Sequence, residues 1–285
     1  MLADHETAYH CPTDLAEALA LLAAGGLTPA AGCTDLYPAT RAQSLRGGVL
    51  DLTRIAGLRG IARAGTGWRI GATTTWSDIR AAALPPAFDA LKQAAREVGS
   101  VQIQNAGTVG GNICNASPAA DGVPPLLVLD AQVELASTRG TRVLPLADFL
   151  AGPRRTLRAP DEIVTAVLVP DPAGAGVSGF SKLGARRYLV ISIAMVAVRL
   201  EMTDGRIAAA ALSVGACSGR AVRLPAQEAA LSGLSVAGAA DAIDPALVAP
   251  DLSPIDDPRA TAQYRAGAAA ELLRRTVATL AGGPA

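Results

Sequence analysis

The sequence predicts an α+β fold, and three features predict that class. A strand, an amphipathic helix and a second strand open the chain, strand pairs across short glycine-containing turns occupy its middle, and a long helix closes it. Half of the 285 residues are hydrophobic, enough for a sizeable core in one large domain or two modest ones.

Tyr9 to Pro12 reads as a short strand. Thr13 or Asp14 then caps a helix from Leu15 to Ala24, whose apolar positions 15, 18, 19 and 22 form one stripe; Asp14 and Glu17 have capping-box spacing. Gly25-Gly26 stops it. Leu27 to Ala31 returns as a strand that runs into Gly32, so the glycine turn follows the second strand, whereas a Rossmann unit has it before the helix. Val49 to Leu52 is the next strand. Between Gly57 and Ala72, Gly65-Thr66-Gly67 with Gly71 approaches a dinucleotide fingerprint, but the last glycine is one residue too far and the flanks alternate, as in a hairpin. Thr75 or Ser77 caps a helix through Ala83, and Phe88 to Val98 forms another.

A short alternating run at Val101 and Ile103 reads as a strand that breaks into the turn Gly107-Thr108-Val109-Gly110-Gly111-Asn112. Pro124-Pro125 then opens a short helix, and 131–136 pairs with 141–144 around Thr138-Arg139-Gly140. Leu146 to Leu150 is a helical turn, and Glu162 to Pro170 is a strand stopped by proline. Residues 171–179, DPAGAGVSG, are rich in glycine, proline and small side chains and mark the domain boundary. Beyond it lie a strand near Phe180-Ser181-Lys182, an apolar stretch from Ile191 to Glu201, and an Asp204-Gly205 hairpin turn into Arg206 to Gly215. A helix over Ala226 to Leu231 follows. The last helix runs from Pro258 to about Leu280, capped by Asp256 or Asp257, with Tyr264, Ala268, Leu272, Leu273 and Val277 on one face.

Composition excludes several functions. The 25 basic and 25 acidic residues cancel and no basic run interleaves with aromatics, so neither nucleic acid nor an anionic membrane is indicated as a partner. Leu189 to Val198, the longest apolar run, is too short for membrane insertion, and the acidic N-terminus lacks the order of a signal peptide, which points to the cytoplasm. Cys11, Cys33, Cys114 and Cys217 lie far apart without a C-x-x-C pair, against a zinc or iron–sulfur site in this chain and, without secretion, against disulfides. His5 and His10 sit near the N-terminus, which leaves no histidine acid–base pair beside the glycine turns. No P-loop, G-x-S-x-G or metal-spaced carboxylate pair is present. Such a chain delegates its chemistry to a cofactor.

The glycine turns offer the place for one. Without a Cβ and with positive φ accessible, successive N–H groups can converge on an anion. Taken alone, the turn at 107–112 is better read as a link between two strands. A second turn, Ala30-Ala31-Gly32-Cys33-Thr34-Asp35-Leu36, carries the same chemistry, and two anion-binding turns suggest a ligand with a diphosphate.

AGCTDL at 31–36 and TVGGN at 108–112, with ASPAAD at 116–121 closing the second, resemble the FAD-binding (medium) subunit of the molybdenum hydroxylases. That family includes xanthine dehydrogenase and aerobic carbon monoxide dehydrogenase. The likeness runs nearly end to end, since SVGACSGRAVRLP and DPRATAQYR are similar to the family's C-terminal domain. It implies a two-lobed FAD-binding domain of the PCMH type, VAO-like, over residues 1–173, with lobes of about 1–56 and 57–173. A smaller α+β domain like that of the carbon monoxide dehydrogenase flavoprotein would cover 174–285.

The resemblance also assigns roles. Ala30 to Leu36 and Gly107 to Asn112 would be the two pyrophosphate loops, with backbone N–H groups and the Thr108 hydroxyl on phosphate oxygens. Asp121 would accept from sugar or ribityl hydroxyls, a helix cap being the alternative. Lys182 would lie near the flavin, where a cation stabilises the anionic reduced ring, or else be a solvated strand lysine. Ile191 would be an apolar flavin contact. Val98 and Val164 are further pocket positions, for which core packing competes. Cys33 replaces the second glycine of the usual AGGTDL, so that residue should avoid a glycine-only conformation while its thiol faces the cofactor. Gln104 stands where many relatives carry arginine or lysine, removing a charge near the phosphates. FAD would be non-covalent, with Cys114 the one thiol placed to tether it.

The implied function is electron relay. A large molybdenum-cofactor subunit would oxidise the substrate, a small subunit with 2Fe-2S clusters would pass electrons singly, and the flavin would release them in pairs to NAD+, a quinone or oxygen. The assembly would be a dimer of heterotrimers. Two other classes compete: a freestanding flavin-dependent oxidoreductase with its own substrate pocket, and a nucleotide-binding module without redox activity.

Overall fold

In the computed structural model, which describes residues 8–40 and 47–282, the strands collect into three main sheets and a two-stranded ribbon. His5 lies outside the described residues. The first sheet is parallel and runs Tyr9–His10, Gly48–Asp51, Leu27–Ala30, so the third strand in sequence lies between the first two. The helix Leu15–Ala23 covers it. The Asp14 carboxylate caps that helix, accepting from the N–H groups of Ala16 at 2.9 Å and Glu17 at 3.1 Å. Ala18, Leu19 and Leu22 then pack on Leu50 and Leu52.

The second sheet is antiparallel, in the order Ile61–Ala64, Gly67–Gly71, Ile163–Pro170, Gln132–Ser137, Gly140–Pro145. Its inner face meets Trp76, Phe88, Ile113, Leu126 and Phe149 in the largest apolar core. The third sheet runs Val177–Leu183, Ala194–Thr203, Arg206–Gly215, Val222–Arg223. Asp204 (φ 52°) and Gly205 (φ 71°) make its hairpin turn. Side chains alternate across a strand, so the Ala194–Thr203 strand feeds two cores. Val196 and Val198 face the closing helix through Leu273 and Val277, while Met195 and Ala197 face Ala90 and Ala94 of the helix Asp89–Glu97. Burial on both faces explains why this segment reads as a continuous apolar stretch.

Three sequence expectations give way here. Val101–Ala106 is a helix, with the Ser100 hydroxyl accepting from the Ile103 N–H at 3.4 Å. Val101 and Ile103 alternate by coincidence: Val101 is 58% exposed, and Gln104 is the buried residue of this turn. The glycine turn therefore joins two helices, and Thr108 caps the second, Val109–Asn115. Residues Val177 to Gly179, read as boundary loop, already belong to the strand Val177–Leu183. There the Ser178 hydroxyl receives the Ala90 N–H at 2.8 Å and donates to the Ala87 carbonyl at 2.7 Å. The closing helix is Ala262–Leu280 and starts at a Thr261 cap; Asp257 is drawn to Arg259 and Arg265, while Asp256 does accept the Ala262 N–H, at 2.5 Å. Its buried stripe is Arg265, Ala269, Leu273, Val277; Tyr264 faces outward.

Trp76 occupies the space between the two halves of the glycine motif. A Cβ on Gly122 would lie 2.3 Å from its ring, and one on Gly107 would lie 3.4 Å away. Trp76→Ala is expected to cost about 3–5 kcal/mol in urea denaturation, the range for emptying a large aromatic site. A loss under about 1 kcal/mol would mean that the turns do not rest on this ring.

Candidate functional site

The parallel sheet delivers the first glycine turn and the helix pair delivers the second, and the two meet backbone to backbone. A Cβ on Gly32 would fall 1.9 Å from the Ala106 carbonyl oxygen, so only glycine lets these chains approach. Thr34 directs its hydroxyl at Gly107, and the Asn115 amide donates to the Asp35 carboxylate at 2.6 Å across the seam. Leu36 opens the short helical turn Leu36–Ala39 that leads the chain away, and Ala30 and Ala31 end the approach, Ala30 being buried.

The two turns divide the hydrogen-bonding work unequally. In the second, the N–H of Val109 bonds the Thr74 carbonyl at 3.0 Å and that of Gly110 bonds the Ala72 carbonyl at 2.9 Å. The Gly111 N–H bonds the Thr108 hydroxyl oxygen at 3.1 Å, and the Asn112 N–H bonds the Thr108 carbonyl at 3.0 Å. The expected row of free donors at 108–112 shrinks to the Thr108 N–H, which has no acceptor among the described residues; the helix cap and the strand bridge at Thr75 consume the rest. In the first turn, the N–H groups of Gly32, Cys33 and Thr34 have no acceptor among the described residues. The donors left without an acceptor among the described residues are therefore these three N–H groups, the Thr108 N–H and the Thr108 hydroxyl proton. Gly111 contributes open space: a Cβ there would meet only the Thr108 oxygen, at 3.0 Å.

Cys33 has φ 56°, in the left-handed region, so the position favours glycine without requiring it. Its thiol turns back to the Ala31 carbonyl at 3.4 Å, and burial, then the Asp51 charge, pushes its pKa up. Gln104 does not reach the turns. It is buried, accepting from Arg80 at 3.1 Å and donating to the Arg96 carbonyl at 3.0 Å. Cys114 packs against the core, and burial pushes its thiol to about 11, unsuited to tethering a cofactor.

A cleft of about 1000 Å³ opens beside the turns, lined by Asp35, Val98, Asn112, Asp121 and Ile191 among others. Ile191 is 58% exposed over it. Val164 is not part of this wall: it lies on the central strand of the second sheet, in the core. Asn112 presents a buried side-chain oxygen that lacks a partner. Ser117, Asn115, Arg154 and Ser192 also line the cleft, and sequence reading missed them as site residues. Only the neighbourhood of Ile191 and of the NICNAS segment could have pointed to them.

Asp121 and Lys182 form a buried ion pair at 2.6 Å, the lysine side chain 7% and the aspartate 9% exposed. The Ser192 hydroxyl donates to the other carboxylate oxygen at 2.8 Å. Asp121 is thus no helix cap; Gly122 caps Val123–Val128, and Lys182 is no solvated lysine. Burial pushes the Asp121 carboxyl above its usual range, opposed by Lys182 and by the Ser192 hydroxyl. Lys182 also borders a second cavity of about 580 Å³ containing Arg96, Arg186 and Arg187. The pair is a partition between two cavities.

Residues 5–172 match the FAD binding domain in molybdopterin dehydrogenase, and residues 180–280 match the CO dehydrogenase flavoprotein C-terminal domain. The chain belongs to this family of molybdopterin-dehydrogenase FAD-binding proteins, and its α+β fold is the family's. Among its relatives, the nicotine 6-hydroxylase medium subunit of Paenarthrobacter nicotinovorans is 34% identical over 231 residues, 80% of each chain. The carbon monoxide dehydrogenase medium chain of Afipia carboxidovorans is 32% identical over 279 residues, 94% of each. Reconstituted CO dehydrogenase from Oligotropha carboxidovorans superposes with a TM-score of 0.89 at 29% identity, over 98% of both chains. Quinoline 2-oxidoreductase from Pseudomonas putida 86 gives 0.86 at 25% identity, over 97% of both.

Lys182→Met leaves the Asp121 carboxylate buried with the Ser192 hydroxyl alone. At pH 7 the variant should lose about 3–5 kcal/mol, the cost of stranding one member of a buried pair. Burial already places the folded pKa of Asp121 above the unfolded one, and losing the cation raises it further. Protonation then restores a neutral group, so the stability gap to wild type should shrink as pH falls through that raised pKa. Parallel urea titrations across pH would test this; a gap that widens on acidification refutes the assignment.

Proposed function

We propose that this chain is the FAD-binding electron-transfer subunit of a heteromeric molybdenum-containing oxidoreductase. It receives electrons from an iron–sulfur partner and passes them to NAD+, a quinone or oxygen. The observation that carries the reading is the meeting of the two turns: four N–H groups without acceptors among the described residues, those of Gly32, Cys33, Thr34 and Thr108, and the Thr108 hydroxyl proton gather where a Cβ-free residue leaves room for a phosphate. FAD fits these donors. Gly32, Cys33, Thr34 and Thr108 would hold the diphosphate, with Asp35 and Asn112 at its flanks. Asp121 would accept from ribityl or sugar hydroxyls through lone pairs left free by Lys182 and Ser192, and Val98 and Ile191 would sandwich apolar ring surface. When bound, FAD supplies the two-electron chemistry. Lys182 opposes the effect of burial on the Asp121 carboxyl and fixes its orientation.

No acid–base residue of a substrate pocket lines the cleft in histidine form, since His10, the one described histidine, is on the first strand. Substrate oxidation on a partner agrees with that, as does kinship with proteins named medium subunits. We assign the partners as a large molybdenum-cofactor subunit and a small iron–sulfur subunit, assembled as a dimer of heterotrimers in the cytoplasm. We further assign residues 1–173 to the FAD-binding domain and 174–285 to the C-terminal domain. No helix among the described residues is long and apolar enough to cross a membrane.

The purified chain should show flavin absorption bands, with FAD released intact by acid precipitation. Iron–sulfur absorbance should join them only on co-purification with proteins from neighbouring genes. Turnover of a small substrate by the chain alone would overturn the relay reading. Thr108→Val should weaken FAD binding roughly tenfold, since it removes a hydrogen bond to a charged group worth about 1.5–3 kcal/mol. Unchanged affinity by fluorescence titration would exclude Thr108 from the phosphate site.

A further inference from the structure

The closing helix buries an arginine, 2% exposed, that also lines the large cleft and that the glycine motifs do not account for. One Arg265 nitrogen donates to two backbone carbonyls, that of Ile193 at 2.6 Å and that of Ala216 at 3.2 Å. The other terminal nitrogen donates to Asp257 at 2.7 Å, which neutralises the buried charge. Nε has no partner. A planar guanidinium reaches three separate segments in fixed directions, which an ammonium does not do.

Both carbonyls belong to segments that touch the cleft wall. Ile193 follows Ser192, whose hydroxyl holds Asp121, and Ile191, which overhangs the cleft. Ala216 has φ 62° and donates its N–H to the Pro118 carbonyl at 2.9 Å. Pro118 and Asp121 border the same wall segment. Arg265, itself among the residues lining the cleft, thus braces two of the contacts by which the third sheet grips residues 118–121. Leaving Nε unpaired in a buried site costs stability, about 1–3 kcal/mol for a stranded polar group. The sequence accepts that cost at a position where leucine would complete the apolar stripe Ala269, Leu273, Val277.

We propose that Arg265 is a positioning residue for the flavin site. It fixes the Ile191–Ile193 segment and the end of the Arg206–Gly215 strand so that Ser192 orients the Asp121 carboxylate and Ile191 stays over the cleft. This rests on the FAD reading given above. Its terminal nitrogens are committed to the Ile193 and Ala216 carbonyls and to Asp257, so it acts through Ser192 and Asp121.

The test uses the full chain with FAD, comparing wild type, Arg265→Lys, Ser192→Ala and the double variant. Arg265→Lys keeps the charge and the Asp257 pairing but loses the fork. It should raise the FAD dissociation constant about tenfold and change the shape of the flavin visible band or its midpoint potential. Ser192→Ala should move the same readouts in the same direction. The double variant should add little to either, because both cut one path. A purely structural arginine predicts a lower melting temperature with FAD affinity, band shape and potential unchanged, and that result overturns the proposal. Fully additive effects overturn it too. Should Arg265→Lys fail to fold, Ser192→Ala decides alone: unchanged affinity and spectrum refute the path. Wild-type chain that binds no FAD is a different outcome and sinks the FAD reading itself.

Discussion

The structure turns on the buried pair of Asp121 and Lys182. Removing two ions from water costs several kcal/mol each, and their attraction repays this only where geometry is good and the remaining lone pairs and protons are satisfied. Here the carboxylate gains the Ser192 hydroxyl and the ammonium a second, long contact with the Glu97 carbonyl at 3.4 Å. The pair comes from two sequence regions 61 positions apart, one closing the glycine motif and one on the edge strand of the third sheet. An apolar pair of equal volume would hold the sheets together as well or better. What the ions add is direction, since a carboxylate tied at both oxygens cannot rotate, and this one stands in the wall of the large cleft.

That constraint propagates outward. Gly122 must lack a Cβ because Trp76 fills the space beneath it, and the same ring supports Gly107, which faces Thr34. The Asp89–Glu97 helix is wedged between the second and third sheets through Ala90 and Ala94, residues small enough to let Phe180 and Met195 approach. It ends at Val98, on the rim of the cleft. The cleft is accordingly built on the junction of the sheets, so its shape depends on packing far from any ligand atom.

How much of this the sequence disclosed follows the range of the interactions. The helix at Leu15, the hairpins at Gly65 and Asp204, and the paired strands around Arg139 rest on neighbours within a few residues, and their turn chemistry is legible. The segment at Val101 misled because four residues of alternation carry little information and the decisive cap, Ser100, precedes them. Gln104 misled for another reason: its closeness in sequence to a glycine turn put it near the phosphates, whereas Arg80 and the Arg96 carbonyl, brought by two other helices, hold it in a buried site. Val164 and Tyr264 could not be sorted between pocket, core and surface without the sheet register and the helix rotation. Asp121 and Lys182 were each singled out by the resemblance, but their pairing was not, since nothing local joins residues so distant in sequence.

The division of labour between the turns was likewise invisible in their glycines. Both motifs read as cradles of N–H groups, yet Ala72 and Thr74 occupy most donors of one, leaving the Thr108 N–H, while the other keeps a row of three without acceptors among the described residues. An unpaired row of this kind costs the empty protein little while water reaches it, and Gly32 to Thr34 are only half-buried. The left-handed conformation at Cys33, worth about 1–2 kcal/mol against a non-glycine residue, turns that part of the row. Strain there is tolerated because Gly32 is pinned against Ala106 on one side and Asp35 is tied to Asn115 on the other. The helix-capped turn is the rigid template, and the strained turn is the donor set held against it.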